Sequence, residues 1–158
     1  MNRREHLIAL GTVMAGAALP LRAQVVPPAA DSSRVIYLTP IKSNGGESRC
    51  QAEIWFVHHS GAFYVVTAQD AWRARAVRQG LDRARIWVGD VGVWSKEARY
   101  KSLPMVTATA SMVTDDLTHA EVLKVFGGKY VDEWSTWGPR WQRGLADGSR
   151  VMLKYAVA

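Results

Sequence analysis

The chain of 158 residues predicts a single α+β domain, mainly antiparallel β-structure with two to three flanking helices. Three observations predict it. Residues 52–58 and 62–67 are dense in aromatic and β-branched side chains, and His59-Ser60-Gly61 between them has hairpin length. Residues 151–157 place Val151, Leu153, Tyr155 and Val157 on one face of a closing strand. Two further segments carry helix-forming residues bounded by start and stop signals. With 48% hydrophobic and 22% charged residues the composition is that of a globular domain, which argues against wholesale disorder, collagen or coiled coil. The single cysteine, Cys50, excludes an internal disulfide, and with only four histidines a cysteine-type zinc site has no ligand set.

Taken in order, residues 24–33 read as an extended leader in which Pro27-Pro28 forbids helix. Residues 35–38 form a short β-prone run, and residues 42–48 a polar loop. After the hairpin comes a helix over residues 70–79, capped by Asp70 and closed by Gly80. Residues 85–89 and 91–94 are strand-like with a turn or bulge at Gly89-Asp90, and residues 100–113 continue as strand. Thr118 and Glu121 have capping-box spacing and Leu117 with Val122 that of a hydrophobic staple, so a helix begins at about His119. Gly127-Gly128 interrupts it, and Gly138-Pro139 ends the pattern that resumes at Tyr130.

The first 23 residues have the form of an export signal. A charged start is followed by an apolar run to Leu21, too short to span a bilayer, and by the small residue Ala23 at a cleavage point. Arg3-Arg4 with Leu7 resembles the bacterial twin-arginine signal, whereas Asn2, His6 and Ile8 depart from it, leaving an ordinary secretory signal open. The organisation expected is therefore a cleavable signal (1–23), a leader with the first short strand (24–50) and a barrel domain (51–158), located in the periplasm or secreted with no membrane span left. Loss of Arg3, Arg4, Arg22 and Glu5 lowers the net charge from +6 to +4.

What remains basic includes Arg73, Arg75, Arg78, Arg83 and Arg85. Guanidinium forks beside a strand end and helix start suit phosphate; the alternative is a solvated helix face. Tyr130, Trp134 and Trp137 share a helical face, which Trp141 joins if the helix survives Pro139; such a stripe is core, dimer interface or a stacking platform for a cofactor. His58 and His59, adjacent on a strand, point to opposite faces and do not ligate one metal together. No nucleophile elbow, dinucleotide fingerprint or Walker loop occurs, and no motif of the single-strand nucleic-acid binders.

The order of elements, with Ile54-Trp55-Phe56-Val57, Phe63-Tyr64-Val65-Val66-Thr67 and Ala71-Trp72-Arg73, is similar to the flavin-binding split β-barrel superfamily, which includes the pyridoxamine-phosphate oxidase-like proteins and the deazaflavin-dependent nitroreductases. The resemblance implies a homodimer with FMN or a deazaflavin at each subunit interface. It places the cofactor phosphate against Thr67, Ala68, Gln69, Trp72 and Arg73, helped by Arg75 or Arg78, with Trp72 or a C-terminal aromatic shielding the ring. The Ser/Thr-x-Lys of the oxidase branch is absent near residue 70 and no dedicated proton donor is evident, so no catalytic residue is assigned. The implied function is an exported flavin- or deazaflavin-dependent oxidoreductase acting on a small molecule. The alternative is a cofactor-free periplasmic barrel that binds a small anionic or aromatic ligand or a protein partner.

Overall fold

The computed structural model describes residues 24–95 and 98–157. The predicted export signal lies outside them. Seven strands form one antiparallel sheet: β1 (Val35–Pro40), β2 (Ala52–Trp55), β3 (Val57–His59), β4 (Ala62–Ala68), β5 (Arg83–Val88), β6 (Met105–Val113) and β7 (Arg150–Val157), in the order β2-β1-β5-β6-β7-β4-β3. The two edge strands are consecutive in the chain. What was expected as one strand over residues 52–58 is broken at Phe56, pairing first with β1 (Ile36 opposite Ile54) and then with β4 (Val57 opposite Tyr64). The sheet thus closes on itself through a covalent link instead of a continuous ladder. This is a split β-barrel, and it disposes of both open edges at one place.

Alternation along the strands builds three cores. Inward residues Ile36, Leu38, Phe63, Val65, Ile86, Val106, Leu153 and Tyr155 fill the barrel. Outward Tyr64, Val66 and Met152 pack under α3 (Asp116–Lys129) and α4 (Val131–Ala146). Outward Val35, Tyr37 and Trp87 pack against Tyr100 of a 3-10 turn (Ala98–Ser102). β1 is therefore buried on both faces and along its whole length, an interior strand of the same sheet as the rest. One barrel end, around Leu38, Pro40, Ala84 and Ala110, is covered by α2 (Trp72–Arg78). The leader packs on the barrel core through Val26, Ala29 and buried Ala30. Pro28 stands just ahead of a one-turn helix, α1 (Ala29–Ser32), where its missing N–H is no loss, so the proline pair starts a helix where none was expected.

Among the described residues four α-helices stand where two to three were expected, the extra one being the single turn α1, and several boundaries move for identifiable reasons. Asp70 does not cap α2, whose N-cap is Ala71. Asp115, not Thr118, caps α3: its Oδ1 accepts from the Thr118 N–H at 2.7 Å, and Leu117 is 85% exposed, so no staple forms. α3 runs through Gly127-Gly128, and α4 runs through Gly138-Pro139. The carbonyl that Pro139 cannot serve belongs to Ser135, an exposed residue, so it faces solvent and is not stranded in the core. Residues 91–94 form no strand. The Tyr37 hydroxyl accepts from the Val91 N–H at 3.0 Å and donates to the Gly92 carbonyl at 2.6 Å, which pins them as a loop. At Gly89 (φ +151°) an added Cβ would lie 2.7 Å from Leu103, so only glycine fits the turn. Among the described residues no helix is long and apolar enough to cross a membrane.

Candidate functional site

The seven residues expected around a phosphate are divided by the direction each side chain takes from the β4–α2 corner. Thr67 points inward and is buried, and its hydroxyl accepts from Arg73 Nη1. Arg73 turns into the barrel mouth, its guanidinium 5.1 Å from the Trp72 ring centroid and its Nε buried without a partner among the described residues. Burial pushes its pKa down, opposed by the charge interaction with Tyr155, whose own pKa burial raises. Gln69 contributes its backbone carbonyl, which accepts from Arg78 Nη1 at 2.5 Å. Ala68 ends β4 at this corner.

Trp72 and Arg75 are the two that face an open cleft. Its volume is about 350 Å³, within the range of small-ligand sites, and its other wall is the end of β1 at Pro40 and the segment that leads on to β2, with Ile41, Lys42, Ser48 and Cys50. Lys42 and Arg75 are exposed, and among the described residues neither cationic head has a hydrogen-bond or ion-pair partner. Ile41 is buried and Leu81 half-exposed, which gives the cleft an apolar floor beside its two cations. Lys42 and Cys50 carry no signal in the sequence that would place them here; a loop 30 residues upstream meets α2 only because β1 pairs with β5.

The five arginines do not form one cluster. Arg85 bonds Glu47 at 2.6 Å, and Lys101 bonds the same carboxylate at 2.8 Å. Those two cations hold the Glu47 pKa below the usual carboxylate range and are thereby occupied. Arg83 starts β5 as an exposed residue.

The aromatic series is largely core. Trp55 stacks on Tyr130 with ring centroids 4.6 Å apart, Trp141 is buried edge-on to Phe126 at 4.9 Å, and Trp134 lies against Trp141 at 5.9 Å. Trp137 lines a shallow trough of about 290 Å³ with Trp55, Val66 and Arg150. The two adjacent histidines separate as expected: His58 Nδ1 lies 3.3 Å from Asp31 and His59 Nε2 2.7 Å from Glu121. His119 donates from Nε2 to the Val113 carbonyl at 2.9 Å. No group of three or more metal-binding side chains occurs among the described residues.

No protein-family model matches this chain, and no curated protein does. Solved structures do. HutZ, a heme storage protein from Vibrio cholerae, is 15% identical with a TM-score of 0.58, covering 82% of this chain and 85% of its own. A Listeria innocua protein of the pyridoxamine 5′-phosphate oxidase type is 12% identical with a TM-score of 0.52, covering 82% and 87%. Campylobacter jejuni ChuZ is 12% identical with a TM-score of 0.57, covering 82% of this chain and 50% of its own. At these identities the likeness is one of fold. This chain has the split β-barrel fold of the pyridoxamine 5′-phosphate oxidase-like proteins.

Proposed function

We propose that the chain is an exported split-barrel protein that holds a flavin-type cofactor, FMN or a deazaflavin, between the β1–β2 segment and α2, and works as a homodimeric oxidoreductase on a small molecule. The observation that carries this is the convergence of two unpartnered cations, Lys42 and Arg75, beside the Trp72 indole in a cleft of about 350 Å³. The donor set fits such a group. Lys42 and Arg75 supply charge-assisted bonds to a phosphate, Trp72 supplies a face for a ring, and Ile41 and Leu81 keep water from one side. A flavin supplies the hydride chemistry when bound; these residues bind and orient it. Two fold neighbours, a heme storage protein and a protein of the pyridoxamine 5′-phosphate oxidase type, support a barrel that handles planar ligands. Residues 1–23 support export, and the exposed outward positions Thr109 and Ser111 of β6, uncovered by any helix, support a subunit interface there.

The test is a titration of protein purified from the cytoplasm with its signal disabled, read by flavin absorption and fluorescence against FMN, riboflavin and a deazaflavin. We expect micromolar binding of the phosphorylated ligands. Riboflavin, lacking the phosphate, should bind about tenfold more weakly, one charge-assisted contact's worth. Light scattering should give twice the monomer mass.

A second reading is a cofactor-free barrel for a small anionic or aromatic ligand. The mutual bond between Thr67 and Arg73 favours it, because it removes two of the seven expected phosphate contacts from the surface. Absence of flavin binding at micromolar concentration, with the protein folded, would decide for this reading.

A further inference from the structure

Among the described residues the β6–β7 ladder runs as far as Ala108 opposite Val157. The Gln24 side chain lies against the next residue of β6, Thr107. Its Oε1 accepts from the Thr107 N–H at 2.9 Å and its Nε2 donates to the Thr107 carbonyl at 3.3 Å, so one carboxamide serves both backbone groups as a strand residue would. Downstream, Pro27 and Ala30 are buried and hold the leader against the barrel, whereas Val25 is 85% exposed.

Gln24 is also the residue that follows the small residue at the predicted cleavage point. We propose that, once the Ala23–Gln24 bond is cut, the mature amino terminus closes to pyroglutamate and the lactam takes over the pairing with Thr107, an inference that rests on the export proposed above. In the step, the α-amine of Gln24 attacks its own side-chain carbonyl carbon. A bond from the α-nitrogen to Cδ forms, the Cδ–Nε2 bond breaks, and Nε2 leaves with a proton from the amine as ammonia; no oxidant or reductant is involved. The product is a cis amide, whose N–H and C=O lie side by side on one edge, the same arrangement the carboxamide offers Thr107. The ring draws the amide closer to Cα, and Val25, free of packing, supplies the slack. Closure also removes an ammonium charge from a half-buried position, where it would have to be desolvated. Terminal modifications of this kind change the charge balance of a fold without touching its core.

The full chain with its signal is expressed in a bacterial host, and the exported product is analysed by intact mass, terminal peptide sequencing and hydrogen exchange. The expected product starts at residue 24, is lighter by one ammonia than the sequence requires, and exchanges the Thr107 amide about tenfold more slowly than the Gln24→Ala variant. A product that starts at Gln24 and keeps a free amine after treatment with glutaminyl cyclase overturns the proposal and leaves the export reading standing. A product left uncut, or cut elsewhere, overturns it together with that reading. A lactam with Thr107 exchanging as fast as in Gln24→Ala overturns the pairing.

Discussion

The Tyr130 hydroxyl accepts from the Phe56 N–H at 3.0 Å and lies 2.8 Å from the Phe56 carbonyl oxygen and 2.7 Å from that of Arg34. Phe56 is the residue at which the chain leaves β1's side of the sheet and joins β4's, so its backbone groups lose their ladder partners at that point. A phenol from the α3–α4 corner replaces them, and its proton is shared between the two carbonyls. Burial pushes the Tyr130 pKa up to about 12, which keeps the hydroxyl a donor across the physiological range.

Tyr130→Phe keeps the ring that stacks on Trp55 and strands these backbone groups in a buried place. The expected loss is about 2–4 kcal/mol, since each unsatisfied buried group costs roughly 1–3. Urea melts followed by tryptophan fluorescence measure it. An unchanged midpoint would mean that water reaches the split and does the same work.

Trp134 is clamped between two glycines. A Cβ on Gly127 of α3 would lie 2.8 Å from its Nε1, and one on Gly138 of α4 2.8 Å from its Cε2. In an exposed helix, glycine to alanine stabilises by about 1 kcal/mol. Here the sign reverses: Gly127→Ala and Gly138→Ala are each expected to destabilise by about 1–3 kcal/mol through overpacking, because the indole has a helix on either side. Thermal melts of the two variants check this. A rise in melting temperature for either would show that the Trp134 ring moves aside freely.

The same glycines mark what the sequence could and could not disclose. Read locally, Gly127-Gly128 and Gly138-Pro139 are breaks, and by propensity alone they should be. They persist inside helices because a tryptophan seven residues from one and four from the other needs the room, a requirement that exists only once α3 and α4 meet. The hairpin was readable from its density of aromatic and β-branched residues and its turn-length connection, and the closing strand from the alternation that sends Val151, Leu153, Tyr155 and Val157 to the barrel core. The break at Phe56 was not, since Ile54, Trp55, Phe56 and Val57 have uniform strand chemistry; the change of partner is decided by Tyr130, 74 residues away. At the cleft, Trp72 and Arg75 were within reach of sequence reasoning. Lys42 and Cys50 were not, because their approach depends on sheet order.

Lys129 provides a pH-dependent test of how the leader is seated. Its ammonium sits 3.6 Å above the Phe56 ring centroid and donates to the Ala30 carbonyl at 3.4 Å, with Asp31, Arg34 and the Tyr130 ring around it. Burial lowers its pKa from 10.5 to about 8. Between those values the unfolded chain holds a proton that the folded one has released, so this group makes stability rise with pH from about 8 towards 10.5. Below pH 8 both states are protonated and the slope vanishes. The stability difference between wild type and Lys129→Met, measured in urea from pH 7 to 10, should therefore grow in favour of wild type above pH 8. Taking the difference removes the opposing contribution of the tyrosines. A flat difference would mean that the ammonium remains hydrated.

Arg73 and Arg75 differ by two positions and, by geometry, by role. Thr67→Val leaves the Arg73 Nη1 without its acceptor beside an Nε that already has none, and should cost about 1–3 kcal/mol. Arg73→Met keeps an apolar stem in the barrel mouth and removes the buried charge, so its effect on stability should be smaller. Neither change should alter FMN affinity by more than about twofold. Lys42→Ala and Arg75→Ala should each weaken it by about tenfold or more, one charge-assisted phosphate contact apiece, and leave the melting temperature unchanged because both side chains are exposed and unpaired. Fluorescence titrations and thermal melts on the four variants separate the two sites. If Arg73→Met abolished binding in a protein that melts normally, the phosphate would sit at the barrel mouth, with Arg73 turning outward from Thr67 to meet it.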